Sequence, residues 1–150
     1  KYVENLDPDA TILGNSQWNW LESELKDQFD FLMIFSSIQI IAEDHPYEKW
    51  NNFPHEKEKL FNMLSKYNDK TLFISGDRHR GGIYKVSGIY EITASSLNKP
   101  GSNFDETDTS LFDRTYNQEN YGLLEVSETK INVLLKDVNG KILNMVSLKY

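Results

Sequence analysis

Five consecutive residues, Ser75-Gly76-Asp77-Arg78-His79, carry most of the chemistry this sequence can offer. A carboxylate and an imidazole two positions apart supply oxygen and nitrogen donors, ordinary ligands for divalent or trivalent metals. Arg78 between them can meet a phosphate bidentately, and Gly76 lets the backbone turn tightly. The same string also fits a solvated turn in which Asp77 caps backbone groups and His79 faces water. A second candidate is the loop at residues 45–50. There His45, beside Asp44, is of a type that serves as acid, base or ligand, and Tyr47 and Trp50 can stack on the organic part of a substrate. The alternative is an aromatic loop packed on a sheet edge. His55, at a helix start and followed by Glu-Lys-Glu-Lys, reads as a surface residue. Asp105, Glu106, Asp108 and Asp113 form an acidic group without the regular spacing of an EF-hand loop, which reads as a solvated loop. No Gly-rich phosphate loop, Gly-x-Ser-x-Gly elbow or zinc-protease helix occurs.

The elements that must position these residues are legible from apolar patterning. Trp18, Leu21 and Leu25 share one helical face, with Ser16 as the expected N-cap. Residues 31–35 form a short continuous apolar run, the pattern of a strand buried on both faces, and 38–41 read as a further extended segment. A loop at 42–54 is rich in acids and aromatics; loops of that length in a compact domain usually bind something. Pro54 suits the first turn of a helix running to about Tyr67, with Leu60, Phe61 and Leu64 inward. Residues 71–75 read as a second buried strand that runs straight into the Gly-Asp-Arg-His turn. At the carboxyl ends of strands in open α/β sheets, loops line a crevice where ligands bind. Beyond it, Ser87-Gly88 joins two strands as a hairpin, and residues 98–120 read as a surface excursion. Strands at 122–126, 131–136 and 142–148 close the chain, the last two joined by Asn139-Gly140. The fold class is α/β, with strand-helix alternation first and mainly antiparallel strands afterwards.

Composition bounds the function. The chain has 150 residues, 39% hydrophobic and 26% charged, enough for one domain with a real core. Sixteen Lys and Arg against 23 Asp and Glu leave a formal charge of -7, which gives no general drive toward nucleic acid or anionic lipid. No apolar stretch approaches the ~20 residues of a membrane span. There is no cysteine, which excludes disulfides, thiolate zinc sites and thiol nucleophiles without choosing a compartment. The chain opens at Lys1 with no signal peptide ahead of it. The expectation is that something was removed from the front or that this is part of a longer protein.

Several strings, in order along the chain, resemble one family. Asp7-Pro8-Asp9 through Leu13-Gly14-Asn15-Ser16-Gln17-Trp18-Asn19-Trp20-Leu21-Glu22 is similar to an early stretch of PhoD-like metallophosphatases, the alkaline phosphatase D family. Ser36-Ser37-Ile38-Gln39 resembles that family's Ser-Gly-Ile/Val-Gln, and Trp50-Asn51-Asn52-Phe53-Pro54 its Trp-x-Asn-Phe-Pro. Ser75-Gly76-Asp77-Arg78-His79 matches its Ser-Gly-Asp-x-His. Residues 90–97 match its Tyr-Glu-Ile/Val-Thr-Ser-Ser-Gly-Leu, and Asn120-Tyr121-Gly122-Leu123 its late Asn-Phe-Gly-Leu.

The resemblance implies a calcineurin-like phosphoesterase, of which this chain matches only the C-terminal half of an αββα sandwich. It implies a hydrolase of phosphomonoesters or phosphodiesters in which metal-activated water attacks phosphorus. Asp77 and His79 are carried over as catalytic and metal-binding residues, with His79 the firmer of the two. Arg78, Trp50 and Asn51 are carried over as substrate contacts. The cofactors implied are divalent or trivalent metal ions, in a dinuclear or larger cluster. Ser36 stands where purple acid phosphatases have a ligating His, and the family's early Asp-rich motifs do not occur here. The partners implied are a small-molecule phosphate ester and the missing N-terminal half, with no nucleic-acid surface and no membrane. Export is common among relatives, which favours the periplasm or the outside. With half of the motifs absent, six strands and two or three helices would make one sheet and one helical layer, the inner sheet face needing a partner. The alternative is a non-catalytic remnant or split-half module that binds a partner or ligand.

Overall fold

Two apolar segments, each ending in serine, set the frame. In a computed structural model, which describes residues 1–101 and 106–150, they form strands β1 (Leu32–Ser36) and β2 (Thr71–Ser75), paired in parallel. The remaining strands are β3 (Gly81–Val86), β4 (Ile89–Ala94), β5 (Asn120–Val126), β6 (Lys130–Asp137) and β7 (Ile142–Lys149). Two helices, α1 (Gly14–Glu24) and α2 (Pro54–Leu64), precede β1 and β2 respectively. The order in the first sheet is β1-β2-β4-β3, with β2 and β4 parallel and β3 antiparallel to β4. The second sheet is an antiparallel β5-β6-β7 meander. Among the described residues no helix is long and apolar enough to cross a membrane.

The first sheet buries both faces. On one, α1 and α2 pack Trp18, Leu21, Leu60 and Leu64 against Phe73, Tyr84 and Ile89. On the other, Leu72, Ile83 and Ile92 meet Ile131, Val133, Leu135 and Leu148 of the second sheet. The order is therefore helices, sheet, sheet. The expectation of six strands in a single sheet with an uncovered inner face is corrected: among the described residues seven strands make two sheets, and the second covers the first. Alternation within β6 produces this, since Ile131, Val133 and Leu135 all point to one side.

Ser87 and Gly88 both take positive φ, the backbone that a tight two-residue hairpin requires. Ser16 does not cap α1; Leu13 holds the cap position, and the Thr11 hydroxyl accepts a hydrogen bond from the Gly14 amide. Helix α2 ends at Leu64, and a 3-10 segment, Ser65–Lys70, carries the chain into β2. Residues 31–35 were expected to be buried on both faces, but β1 lies at the sheet edge and its Phe35 is 73% exposed. Residues 38–41 are not a strand, although Ile40 and Ile41 are buried. The expected surface excursion at 98–120 is corrected in its described part. Tyr116 and Leu111 form bridges to Gly81 and Tyr84, and Glu106, Asp108 and Thr115 are buried. Asp105, one member of the acidic group, lies outside the described residues. His55 is half-buried rather than on the surface, its Nε2 2.6 Å from the Ala10 carbonyl oxygen.

Irregular segments are tied down by buried carboxylates. Glu56 of α2 accepts hydrogen bonds from the Thr11 hydroxyl (2.6 Å), the Ile12 amide (2.9 Å) and Trp18 Nε1 (2.9 Å), which pins the chain ahead of α1. Asp108 accepts from the amides of Glu43 (2.6 Å) and Asp44 (2.9 Å). Burial alone would raise both carboxyls. For Glu56 the bonds from Thr11, Trp18 and the backbone outweigh it and hold the group below its ordinary value. For Asp108 the bonds from Ser110, Asp44 and Glu43 do the same.

A carboxyl lowered by folding contributes stability above its unfolded pKa and loses it as the pH falls through the folded value. We therefore expect the urea midpoint of the chain to drop progressively below about pH 4. The drop should be shallower in Glu56→Gln, which is already destabilised at pH 7. An unchanged slope in that variant would show that Glu56 is not among the groups being protonated.

Candidate functional site

Strands β1, β2 and β4 run in parallel, and their registers set Ser36, Ser75 and Thr93 side by side at the carboxyl edge. The loops leaving these ends form the candidate site. The backbones lie close: a Cβ on Gly76 would stand 3.7 Å from the Ser37 carbonyl oxygen. From β2 the chain enters residues 77–80, whose side chains alternate in exposure. Asp77 and His79 face water, while Arg78 and Arg80 are buried.

Asp77 and His79 both adopt positive φ, at 64° and 51°. Non-glycine residues reach that region at a cost, and such strain concentrates at functional sites. Neither side chain makes a hydrogen bond to another described residue, so the strain is not offset by contacts of their own. It is offset by their neighbours. The Arg78 amide donates to Ser95 Oγ at 3.0 Å, and Ser95 Oγ donates to the Arg80 carbonyl at 3.2 Å. Gly101 donates its amide to the His79 carbonyl at 2.6 Å, so close that a Cβ there would stand 2.8 Å from the same oxygen.

Arg78 does not sit as a substrate contact would. Its guanidinium turns inward, with Nε donating to Gln39 Oε1 at 3.0 Å and Nη2 paired with Glu106. Arg80 Nη1 lies 3.3 Å from the same carboxylate, and the Tyr84 hydroxyl donates to its other oxygen at 2.8 Å. Burial and the Glu106 charge push the Tyr84 hydroxyl well above its ordinary value, so it stays a donor. The face of Tyr47 covers Arg78, 4.7 Å from the guanidinium carbon. The amide of Gln39 continues the network to Thr93 Oγ1 (2.8 Å), which shares a hydrogen bond with Ser75 Oγ (2.8 Å).

Trp50 is also inward. It is buried, stacks edge-on against Trp18 at 6.2 Å, and donates from Nε1 to Ser36 Oγ at 3.1 Å. Asn51 is half-buried, its Oδ1 3.4 Å from Lys57 Nζ. His45 is buried, and its Nδ1 accepts from the Tyr47 amide at 3.2 Å. Burial, with Arg78 and Lys49 adding to it, lowers His45 to about 3, so it is neutral at ordinary pH.

Glu91 carries no signal that stood out as functional, yet it shapes the corner. Fully buried in β4, it accepts from the amides of Ile40 (3.0 Å) and Ile41 (2.6 Å) and so fixes the loop beyond Ser36. Burial pushes its carboxyl up against the pull of these bonds. The alternation Ile89-x-Glu91-x-Thr93 puts it in the inward phase of a strand, and it lies within the 90–97 string that resembles the family motif.

The corner thus presents one carboxylate and one imidazole, oxygen and nitrogen donors that suit a divalent or trivalent ion. Among the described residues no group of three or more His, Asp and Glu converges as a metal site. The pair fits as part of a ligand set.

A family model described as PhoD-like phosphatase matches residues 1–134. A solved structure described as GAP50, the anchor in the inner membrane complex of Plasmodium, is similar over 89% of this chain, with a TM-score of 0.73 and 17% identity. The structure described as that of PhoD is similar over 95%, with a TM-score of 0.70 and 14% identity. The chain spans 42% of the length of the first and 33% of the second. No curated protein matches in sequence.

The division of labour within residues 77–80 has a measurable signature. Asp77→Gly and His79→Gly should each stay within about 1 kcal/mol of wild-type stability, because relief of positive-φ strain offsets the added freedom of the unfolded chain. Arg78→Ala should cost about 3 kcal/mol by leaving Glu106 short of a buried partner. Urea denaturation reads both. A loss above about 2 kcal/mol in the glycine variants would mean that these side chains hold the fold rather than await a ligand.

Proposed function

Because the chain belongs to the PhoD-like phosphatase family, we propose that it forms the part of a metal-dependent phosphoric ester hydrolase that presents Asp77 and His79 as ligands. The family supports a phosphoesterase function in general. The observation that carries the finer reading is the exposed, strained Asp77–His79 pair at the ends of parallel strands, held in place by buried neighbours.

In this reading the Asp77 carboxylate and the His79 imidazole hold one side of a metal cluster. Such ions, when bound, activate water and polarise a phosphoryl oxygen of a phosphomonoester or phosphodiester. The chain's own residues fix where the donors stand. Arg78 holds the turn from beneath through Glu106 and Gln39. Trp50 fixes the Ser36 hydroxyl, which also donates to the Ile38 carbonyl at 2.7 Å, and so sets the path of the neighbouring loop. These are positioning roles, in place of the direct substrate contacts expected for Arg78 and Trp50. The half-exposed Asn51 stays a candidate for such a contact. The remaining ligands would come from outside these 150 residues, in the N-terminal half of the domain.

A second reading has its own support. Among the described residues no group of three or more His, Asp and Glu comes together as a metal site, and a protein of similar fold is described as an anchor. A fold of this kind does not compel catalysis. A non-catalytic module that binds a partner would keep the corner without turnover.

Hydrolysis of p-nitrophenyl phosphate and bis-p-nitrophenyl phosphate by the full translation product separates the two. His79→Ala should lower kcat/KM by at least about 100-fold at unchanged circular dichroism, as loss of a metal ligand does. His45→Ala should cost far less. Comparable losses for both, with folding intact, would remove the site assignment, and no turnover by wild type with metals supplied would favour the anchor-like reading.

A further inference from the structure

Two large apolar side chains stand in water beside the Asp77–His79 turn, each on a loop that is tied to that turn. Tyr47 belongs to the loop after β1 and Leu97 to the loop after β4, and β1 and β4 flank β2 on either side. The sheet order therefore sends the two loops out on opposite sides of the donor pair, across two strand spacings, about 10 Å at the strand ends. Tyr47 is 51% exposed and Leu97 65%. Single exposed hydrophobics are common and carry no message by themselves. These two differ in being held in place next to exposed ligand-type side chains.

The Tyr47 amide donates to His45 Nδ1 at 3.2 Å, and Asp108 holds the amides of Glu43 and Asp44 just before it. Its ring lies over the guanidinium of Arg78, the residue between Asp77 and His79. With a buried cation against one face and half of the residue in water, the other face is open. The Tyr47 hydroxyl bonds to no other described residue. Leu97 sits between two ties of its own. Ahead of it, the Ser95 amide donates to the Arg80 carbonyl at 3.1 Å and the Asn120 amide to the Ser96 carbonyl at 3.0 Å; behind it, the Gly101 amide donates to the His79 carbonyl at 2.6 Å. Of the two aromatics in the 45–50 loop suited to stacking on a substrate, Trp50 is committed to Trp18 and Ser36, which leaves Tyr47.

We infer that Tyr47 and Leu97 form an apolar rim that selects the alcohol part of the ester: a flat, hydrophobic aryl group that stacks on the open face of Tyr47 and packs against Leu97. Binding sites commonly pair a few polar groups with aromatic and aliphatic walls of this kind. A ring already fixed over Arg78 stacks without giving up further rotamer freedom, so the contact favours binding at little ordering cost. The face of a tyrosine and a leucine side chain offer no hydrogen bond to a hydroxylated alcohol, so a glycerol or sugar ester gains little from them. The inference rests on the hydrolase reading for the phosphoryl end of the ligand, whereas the apolar contact is measurable without turnover.

The test uses the full translation product with metals supplied, 2-naphthyl phosphate and glycerol 3-phosphate as substrates, and equilibrium dialysis of 2-naphthylphosphonate, which is not hydrolysed. Tyr47→Ala should lower kcat/KM for the naphthyl ester about tenfold, and weaken phosphonate binding to match, while glycerol 3-phosphate changes less than about twofold. Tyr47→Phe should keep wild-type values, since the ring and not the hydroxyl makes the contact. Leu97→Ala should move the same ratio by about threefold, and it carries the test alone if Tyr47→Ala does not fold. Equal losses on both esters, or none on the naphthyl ester, would overturn the rim and leave the hydrolase reading intact. Phosphonate binding that depends on Tyr47, with neither ester turned over, would keep the rim and remove the hydrolase reading. Neither binding nor turnover would remove both.

Discussion

A carboxylate taken out of water must be given donors, and in this chain the donors are largely the backbone amides of segments that belong to no ladder. Glu91, without exposure, holds the amides of Ile40 and Ile41. Glu56 and Asp108 do the same for the stretch before α1 and the loop after Ile41. Each group stands on or near a regular element and reaches sideways. Leaving such donors or acceptors unmet would cost about 1–3 kcal/mol each, so the loops around the corner are as determined as the strands that feed them. Glu106 extends the same logic to charge, accepting Arg78, Arg80 and Tyr84 at once.

That inward pairing explains how two side chains remain available. Arg78 and Arg80 turn in and are neutralised; Asp77 and His79, between and beside them, are forced out at positive φ. A turn of this kind would relax if its neighbours did not over-determine it. The corner is preorganised by residues that never touch a ligand, which is how a rigid scaffold presents a loop site.

Much of this was legible from residues alone, and the parts that were not share a cause. Strand β2 and both hairpin turns follow from apolar runs and from Ser87-Gly88 and Asn139-Gly140, which are local signals. The continuous apolar run of β1 marks a strand but not an edge strand: the burial on both faces that it implies is not met at Phe35, because a run cannot reveal whether a neighbour is present on its outer side. The inward turn of Arg78 depends on Glu106, 28 residues away, in a stretch whose polarity suggested a solvated loop. Trp50 reads equally as a pocket wall or a core residue until Trp18 and Ser36 are seen around it. The second sheet was hidden for the same reason, since strands predicted one by one do not say which of them share a ladder. Asp77 and His79 stand out as a chemical pair, whereas their backbone strain, and the absence of side-chain hydrogen bonds from them to other described residues, appear only in three dimensions.

The central claim is that this chain holds two ligands of a larger set on a prepared turn. Calorimetric titration of Mn²⁺ and Zn²⁺ into the 150-residue chain addresses it most directly. The account predicts weak binding of about one equivalent, lost in His79→Ala, because two protein donors leave most coordination positions to water. Tight binding of two equivalents by this chain alone, or binding indifferent to His79, would contradict it.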